Sequence, residues 1–271
     1  MSMGGFAAAS SVRPLGDGTF TADLPAEWTV GNRPHGGFLL ALLARAGVWA
    51  AAGATNTQPA DPLAVSVEFL RAPEVGPVLL RTTIHKLGRT ASVVSVNLEQ
   101  RGRSCVFGSV TVGTLPDDGV AWADLPELPD TPPDDALDLA ALPAANGLHL
   151  TTACDVRLDP ANTGFLQGRP GDPLRLRMWA MPRSDLVDPL FALVAGDISM
   201  PVTLNLGRYG WSPTVQLTAL LRARPAHGWL RVEIGCRAVH GQWFDADAMV
   251  IDSAGKLVCQ ARQLALTPAQ Q

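Results

Sequence analysis

The chain repeats itself at a spacing of 153 residues. Gly88 and Gly241, Gly102 and Gly255, Phe38 and Phe191, Arg71 and Arg224, and Thr114 and Thr267 all stand 153 positions apart. Two of these pairs are glycines at expected turns, where a positive φ is often needed and only glycine meets it without strain. The register slips by three at one strand, Leu80-Arg81 against Leu230-Arg231, as a change in hairpin length would produce. The chain is therefore read as two copies of one fold in tandem.

Each copy carries one buried helix and a run of antiparallel strands. In the first, Leu15-Gly-Asp-Gly18 is a turn leading into the strand Thr19–Leu24. The helical run from His35-Gly36-Gly37 to Trp49 is apolar almost all round, interrupted only by Arg45, and such a helix is buried on every side. Strands are expected around Ser66–Leu70, Val78–Lys86, Ala91–Gln100 and Cys105–Thr114, with Gly88 and Gly102 at the turns. The second copy offers strands at His149–Asp155 and Leu174–Met178, then a helix from Asp188. Further strands follow at Thr214–Leu221, Trp229–Ala238, Trp243–Ile251 and Lys256–Leu266. The resulting class is α+β, each unit a long central helix wrapped by an antiparallel sheet. The units are set at 1–115 and 146–271, joined by a Pro/Asp-rich linker at 116–145.

Composition narrows the partners. A formal net charge of −4 gives no electrostatic case for nucleic acid or an anionic membrane surface. No apolar run reaches the roughly 18 residues of a membrane span, and no basic leader precedes the first short apolar stretch. Cys105, Cys154, Cys236 and Cys259 are widely spaced with no Cys-x-x-Cys, so neither a disulfide framework nor a zinc site is expected, and the cytoplasm is the default setting. A duplicated sheet leaves edges and one face to cover, so a homo-oligomer is expected.

The second helix holds an acid in an awkward place. Asp188 reads as its N-cap and Pro189 as its first residue. At about 100° per residue, Leu190, Leu193, Val194 and Asp197 share one stripe, so the only carboxylate within the run falls on its apolar face. Burying a charge there costs several kcal/mol, on the order of the ion-desolvation penalty, unless it is paired or protonated. Pro201 has no N–H for the Asp197 carbonyl, so the helix kinks or ends just past the acid. An ordinary helix-end aspartate bonded to a loop is the alternative. The repeat weighs against it: 153 positions back stands Ala44, so the scaffold does not demand an acid.

Two other polar residues stand out. Thr214 opens a strand in which Val215, Leu217, Ala219 and Leu221 alternate with Thr214, Gln216 and Thr218. Gln263 shares a face with Cys259, Ala261 and Ala265, where its amide needs partners. Their counterparts in the first copy are Asp61 and Val110, so neither is a repeated feature.

With these residues in hand, the sequence resembles the tandem, or double-hotdog, acyl-CoA thioesterases over most of its length outside the linker. The matching features are His35-Gly36-Gly37 at the first helix, Gly88-Arg89-Thr90 at a strand start and Asp197 in the second helix. Pro213-Thr214, the Asp252-Ser-Ala-Gly255 hairpin and the closing Gln260-Ala-Arg-Gln263 also match. The resemblance implies that Asp197, Thr214 and Gln263 hold a hydrolytic water. It departs from the family where Gln216-Leu217 replaces a frequent Asp-His pair, and where His35, not an aromatic residue, precedes the glycines. These mark a divergent branch.

The chemistry needs no metal or cofactor, coenzyme A entering only as part of an acyl-thioester substrate. One carboxylate can activate water toward a thioester, with Thr214 and Gln263 aligning it. Amides at His35-Gly36-Gly37 could receive the oxyanion, or the glycines could serve only close packing. His35 itself reads more readily as a cap than as a base. His85, His149, His227 and His240 read as surface or loop residues, and the seven tryptophans as core and interface anchors. Two other functions stay open: a non-catalytic acyl- or lipid-binding duplicate, and an enoyl-CoA hydratase or dehydratase, which would want an Asp/His pair. No histidine stands beside Asp197 by pattern. A Gly-x-Ser-x-Gly elbow, a dinucleotide fingerprint, a Walker loop and a His-x-x-x-His are all lacking, which disfavours those enzyme classes.

Overall fold

The computed structural model describes residues 5–58, 60–143 and 146–268. The first copy contains the single-turn helix α1 (Phe6–Ala9), strands β1 (Arg13–Gly16) and β2 (Thr19–Leu24), and a short hairpin of β3 (Thr29–Val30) and β4 (Arg33–Pro34). The long helix α2 (Gly36–Thr55) follows, then strands β5 (Asp61–Phe69), β6 (Gly76–Lys86), β7 (Ala91–Gln100) and β8 (Arg103–Gly113). The second copy contributes β9 (Leu137–Asp138), β10 (Cys154–Leu158), β11 (Arg175–Pro182), helix α3 (Pro189–Ala195) and β12 (Thr214–Leu221). It ends with β13 (Leu230–Gly235), β14 (Val239–His240), β15 (Trp243–Ile251) and β16 (Leu257–Leu266). The tandem α+β architecture expected from the repeat is present, in the hotdog arrangement that the resemblance implies.

One antiparallel sheet runs through both copies, in the order β1-β2-β6-β7-β8-β5-β12-β16-β15-β13-β11-β10-β9. The seam is β5 against β12, from Gln216↔Glu68 to Leu220↔Ala64. These two strands are counterparts, each the first after its copy's helix, so the seam relates the copies by an approximate twofold. The apolar side of the sheet closes on α2 and α3. Phe38, Leu40, Leu42 and Leu43 are wholly buried on one helix, Phe191 and Leu193 on the other. Side chains of this size are worth about 1.5–3 kcal/mol each when removed from water. Helix α2 is long and apolar enough to cross a membrane, but most of it is buried against the sheet.

The copies differ where it matters. Helix α2 runs unbroken for 20 residues, whereas α3 stops after seven at Ala195. The expected helix through Asp197 is thus shorter than the periodicity implied, and the acid lies two residues beyond its end. Gly196 approaches β16 so closely that a Cβ there would meet the Ala261 Cβ at 3.1 Å. Pro201 blocks resumption, and the chain continues as a 3-10 turn at Val202–Leu206. His149–Thr152, expected to open a strand, is also a 3-10 turn, and β10 begins at Cys154. The Pro/Asp-rich stretch is strapped to the second copy: the Trp179 indole donates to the Pro129 carbonyl at 2.9 Å, and Leu128 packs on Trp179 and Ile251. The four cysteines are free thiols. Trp28 and Trp179 are core residues, while Trp49, Trp122, Trp211 and Trp243 are exposed. The last four lie at the surface, where the interface half of the expectation applies to them and not the core half.

Candidate active site

The two central helices meet head to tail. A Cβ on Gly37 would stand 3.0 Å from Val194 Cα, Val194 O and Asp197 Cβ, and one on Gly36 would stand 2.6 Å from Asp197 Oδ2. The Gly-Gly pair therefore lets the N-terminus of α2 lie directly against the end of α3; the close partner is the other helix's end. His35 caps α2, its Nδ1 accepting from the Phe38 amide at 3.3 Å. Asp188 caps α3 in the equivalent position, accepting from Phe191 N–H at 2.7 Å.

The break after α3 decides the environment of Asp197. Its amide closes a tight turn onto the Val194 carbonyl at 3.0 Å. Its own carbonyl, which Pro201 cannot serve, lies 3.1 Å from His35 Nε2, so that ring nitrogen carries the hydrogen and donates. The carboxylate Oδ2 is 3.9 Å from the same nitrogen, and the Asp197 side chain is only 10% exposed. Contrary to the sequence pattern, a histidine does stand beside Asp197: the contact spans 162 residues and no local periodicity carries it. Both His35 nitrogens are occupied by backbone groups. Burial pushes the Asp197 carboxyl above its ordinary value, while the nearby His35 ring and the Gly37 amide pull in the other direction. An acid poised this way in a cavity is suited to take a proton.

Thr214 and Gln263 come together across β12 and β16. Simple alternation would put Thr214 on the polar outer face with Gln216 and Thr218, whose side chains bond each other and Ser66. Instead the pairing passes from Thr214↔Ala265 to Gln216↔Leu264, leaving Val215 unpaired. This bulge turns Thr214 to the inner face, as inserted residues in a ladder commonly do. There its hydroxyl donates to Gln263 Oε1 at 2.6 Å. Gln263 sits between Leu217 and the small Ala246 on neighbouring strands. The bond leaves the Gln263 amide hydrogens and the Thr214 lone pairs for a third group.

Asp197, Thr214 and Gln263 line one cavity of about 690 Å³, together with His35 and Gly36. Gly37 lies behind this wall, against Val194. Leu39, Phe69, Leu150, Phe165, Met200 and Phe244 supply apolar walls from both copies. Asp197 is the one carboxylate among the lining residues. Arg33, Arg71, Tyr209 and Trp211 also line it, and sequence reasoning did not assign them to the site. In the sequence Arg71 stands out only through its 153-residue match to Arg224. The other four histidines are exposed. Among the described residues no group of three His, Cys, Asp or Glu side chains could hold a metal ion.

Comparison with known proteins agrees with this architecture. Residues 24–113 match the acyl-CoA thioesterase N-terminal domain and residues 123–267 the acyl-CoA thioesterase C-terminal domain. An uncharacterized protein of Mycobacterium tuberculosis strain H37Rv is 40% identical over 290 residues, spanning 98% of this chain and 99% of the relative. Among solved structures, a protein of Thermobifida fusca provisionally designated a thioesterase II is 27% identical, covers 98% of each chain and superposes with a TM-score of 0.84. A hot dog fold protein of unknown function from Alicyclobacillus acidocaldarius, 20% identical, covers 98% of each chain with a TM-score of 0.81 and shows the fold alone. The chain belongs to the acyl-CoA thioesterase family, as a member that carries both hotdog domains in one polypeptide.

Proposed function

We propose that the protein hydrolyses an acyl thioester, of the acyl-CoA type, to a free acid and a thiol. The observation that carries this reading is the meeting of Asp197, Thr214 and Gln263 on one largely apolar cavity. In this scheme Asp197 takes a proton from water as the water attacks the thioester carbonyl, and Thr214 with Gln263 aligns it. The carbonyl oxygen, gaining charge, is met by the Gly36 amide at the positive end of α2. The C–S bond then breaks, the thiolate takes the proton that Asp197 received from the water, and the acid departs with the carboxylate regenerated. No metal or cofactor enters the scheme. The protein works as two units, 1–115 and 146–271, in the cytoplasm and as a homo-oligomer.

A thiol-release screen across acyl-CoAs from short to long chains, run on the parent and Asp197→Asn, tests this. Hydrolysis of some members by the parent, lost in the variant, is expected; equal rates in both would sink the mechanism. The nearness of His35 to Asp197 favours one second reading, addition of water to an enoyl-CoA. Occupation of both ring nitrogens by backbone groups argues against His35 as a proton shuttle. Hydration of enoyl-CoA without thiol release would select that reading.

A further inference from the structure

Arg71 and Arg224 stand 153 residues apart, each just beyond the end of its seam strand, β5 or β12. Asp61 and Thr214, also 153 apart, open the same two strands. Because the seam is antiparallel, the head of each strand lies beside the tail of the other. By chain position Arg71 thus corresponds to Arg224, and Thr214 to Asp61. The Arg224 guanidinium is held by the Asp61 carboxylate at 2.8 Å, in a side chain 7% exposed. No carboxylate pairs with Arg71 among the described residues. Among the described residues, the only hydrogen bond of the Arg71 side chain is from Nη1 to the Ser104 carbonyl at 2.8 Å.

Arg33 reaches the same cavity from β4. It lies over the Trp211 ring at 4.7 Å and has no carboxylate partner among the described residues. Both arginines are exposed, whereas Asp197, the one acid among the lining residues, is buried. In a chain whose formal net charge is −4, one cavity therefore carries two uncompensated cations at its exposed part. Guanidinium groups match the oxygens of phosphate in geometry and charge.

We propose that Arg71 and Arg33 bind the phosphate of a pantetheine-type thiol carrier, holding it while the acyl group lies along the apolar walls. The thioester end of this ligand rests on the hydrolase reading above; the phosphate end rests on the two cations. The chemistry is shared by free coenzyme A and by phosphopantetheine on a carrier protein.

Calorimetric binding of desulfo-coenzyme A, 4′-phosphopantetheine and pantetheine tests this without requiring turnover. The wild type should bind at least one phosphorylated probe on the order of tenfold more tightly than pantetheine, the scale of one charge-assisted contact. Arg71→Gln and Arg33→Gln should each remove most of that gain, and Arg71→Lys should restore part. Equal affinity for the two phosphorylated probes marks the phosphate shared by both carriers. Tighter binding of desulfo-coenzyme A marks its nucleotide phosphates. As a kinetic check, kcat/KM of Arg71→Gln should fall about tenfold more for an acyl-CoA than for the same acyl group on N-acetylcysteamine, a carrier without phosphate. Binding of phosphorylated probes that is unchanged in the Arg33→Gln/Arg71→Gln double variant overturns the proposal, as does a wild type that does not prefer them to pantetheine. Arginine-dependent binding without thioester hydrolysis would overturn the hydrolase reading alone.

Discussion

Thr214 and Gln263 are joined by a 2.6 Å hydrogen bond in which the threonine hydroxyl donates to the amide oxygen. The bond fixes which way the Gln263 amide faces, so its two hydrogens are presented together. Thr214→Val keeps the shape and removes the donor, freeing the amide to rotate and leaving Oε1 unpaired. Turnover of a responsive acyl-CoA should fall by roughly ten- to a hundredfold, within the range that alignment of reacting groups supplies. Thr214→Ser retains a hydroxyl and should stay within a few-fold of the parent, about the effect of a small shift in geometry. Steady-state kcat for the two variants decides it, and a loss in Thr214→Ser with little or none in Thr214→Val would mean that the threonine methyl matters, not the hydroxyl.

Asp197 should behave as a group held at a cost to stability. Its carboxyl is raised by burial, so the folded protein retains that proton to higher pH than the unfolded chain. Below about pH 4, the ordinary carboxylate range, both states are protonated and the residue carries no penalty. As pH rises, the unfolded state ionises first and stability is lost until the folded carboxyl has ionised too. Asp197→Asn should therefore melt above the parent at neutral pH, with the gap closing toward pH 4. The same variant should lose on the order of a hundredfold or more in kcat, as removal of a general base does. The acid limb of the parent's kcat/KM profile should lie above the usual carboxylate range. Thermal melts from pH 4 to 8, paired with rates, distinguish this from a structural aspartate, whose loss would lower the melting temperature.

Much of this architecture was open to sequence reasoning because it is periodic. The 153-residue repeat, the nearly all-apolar α2 and most strands of both copies follow from patterns that the sequence carries. Asp197 was conspicuous for the same reason, as an acid on an apolar stripe matched by Ala44 in the sister helix. What escaped was non-periodic. The bulge at Val215 reverses the face of Thr214, and strict alternation assigns it to the wrong side. The contact of His35 with Asp197 depends on two helix ends meeting, which no window of sequence contains. The two cavity arginines acquire meaning only when Asp61 is seen to hold Arg224 while Arg71 meets the Ser104 carbonyl and no carboxylate among the described residues.

Gly36 and Gly37 should answer differently to alanine. At Gly37 the added Cβ would press on the backbone of Val194, which can yield only if the helices part. A loss of about 1–3 kcal/mol is expected, the usual cost of overpacking. At Gly36 the nearest atom is Asp197 Oδ2, the end of a side chain that can rotate. Gly36→Ala should cost less stability and more activity, because it moves the carboxylate itself. Urea unfolding together with kcat for both variants tests the contrast, which fails if the two rank alike in both measurements.

The pair across the seam offers a last test, because it joins the copies away from the cavity. Asp61 accepts from the Leu115 amide at 3.1 Å and from Arg224 at 2.8 Å. The carboxylate is 7% exposed but the arginine is 56% exposed, so solvent screens part of the attraction. Arg224→Ala leaves a buried carboxylate with one partner. The expected loss is about 1–2 kcal/mol, between the 0–1 of a surface pair and the 3–5 of a fully buried one. Arg224 does not line the cavity, so kcat should hold while the urea midpoint falls. An Arg224→Ala protein as stable as its parent at pH 7 would show that the copies are joined by the strand ladder and the apolar core alone.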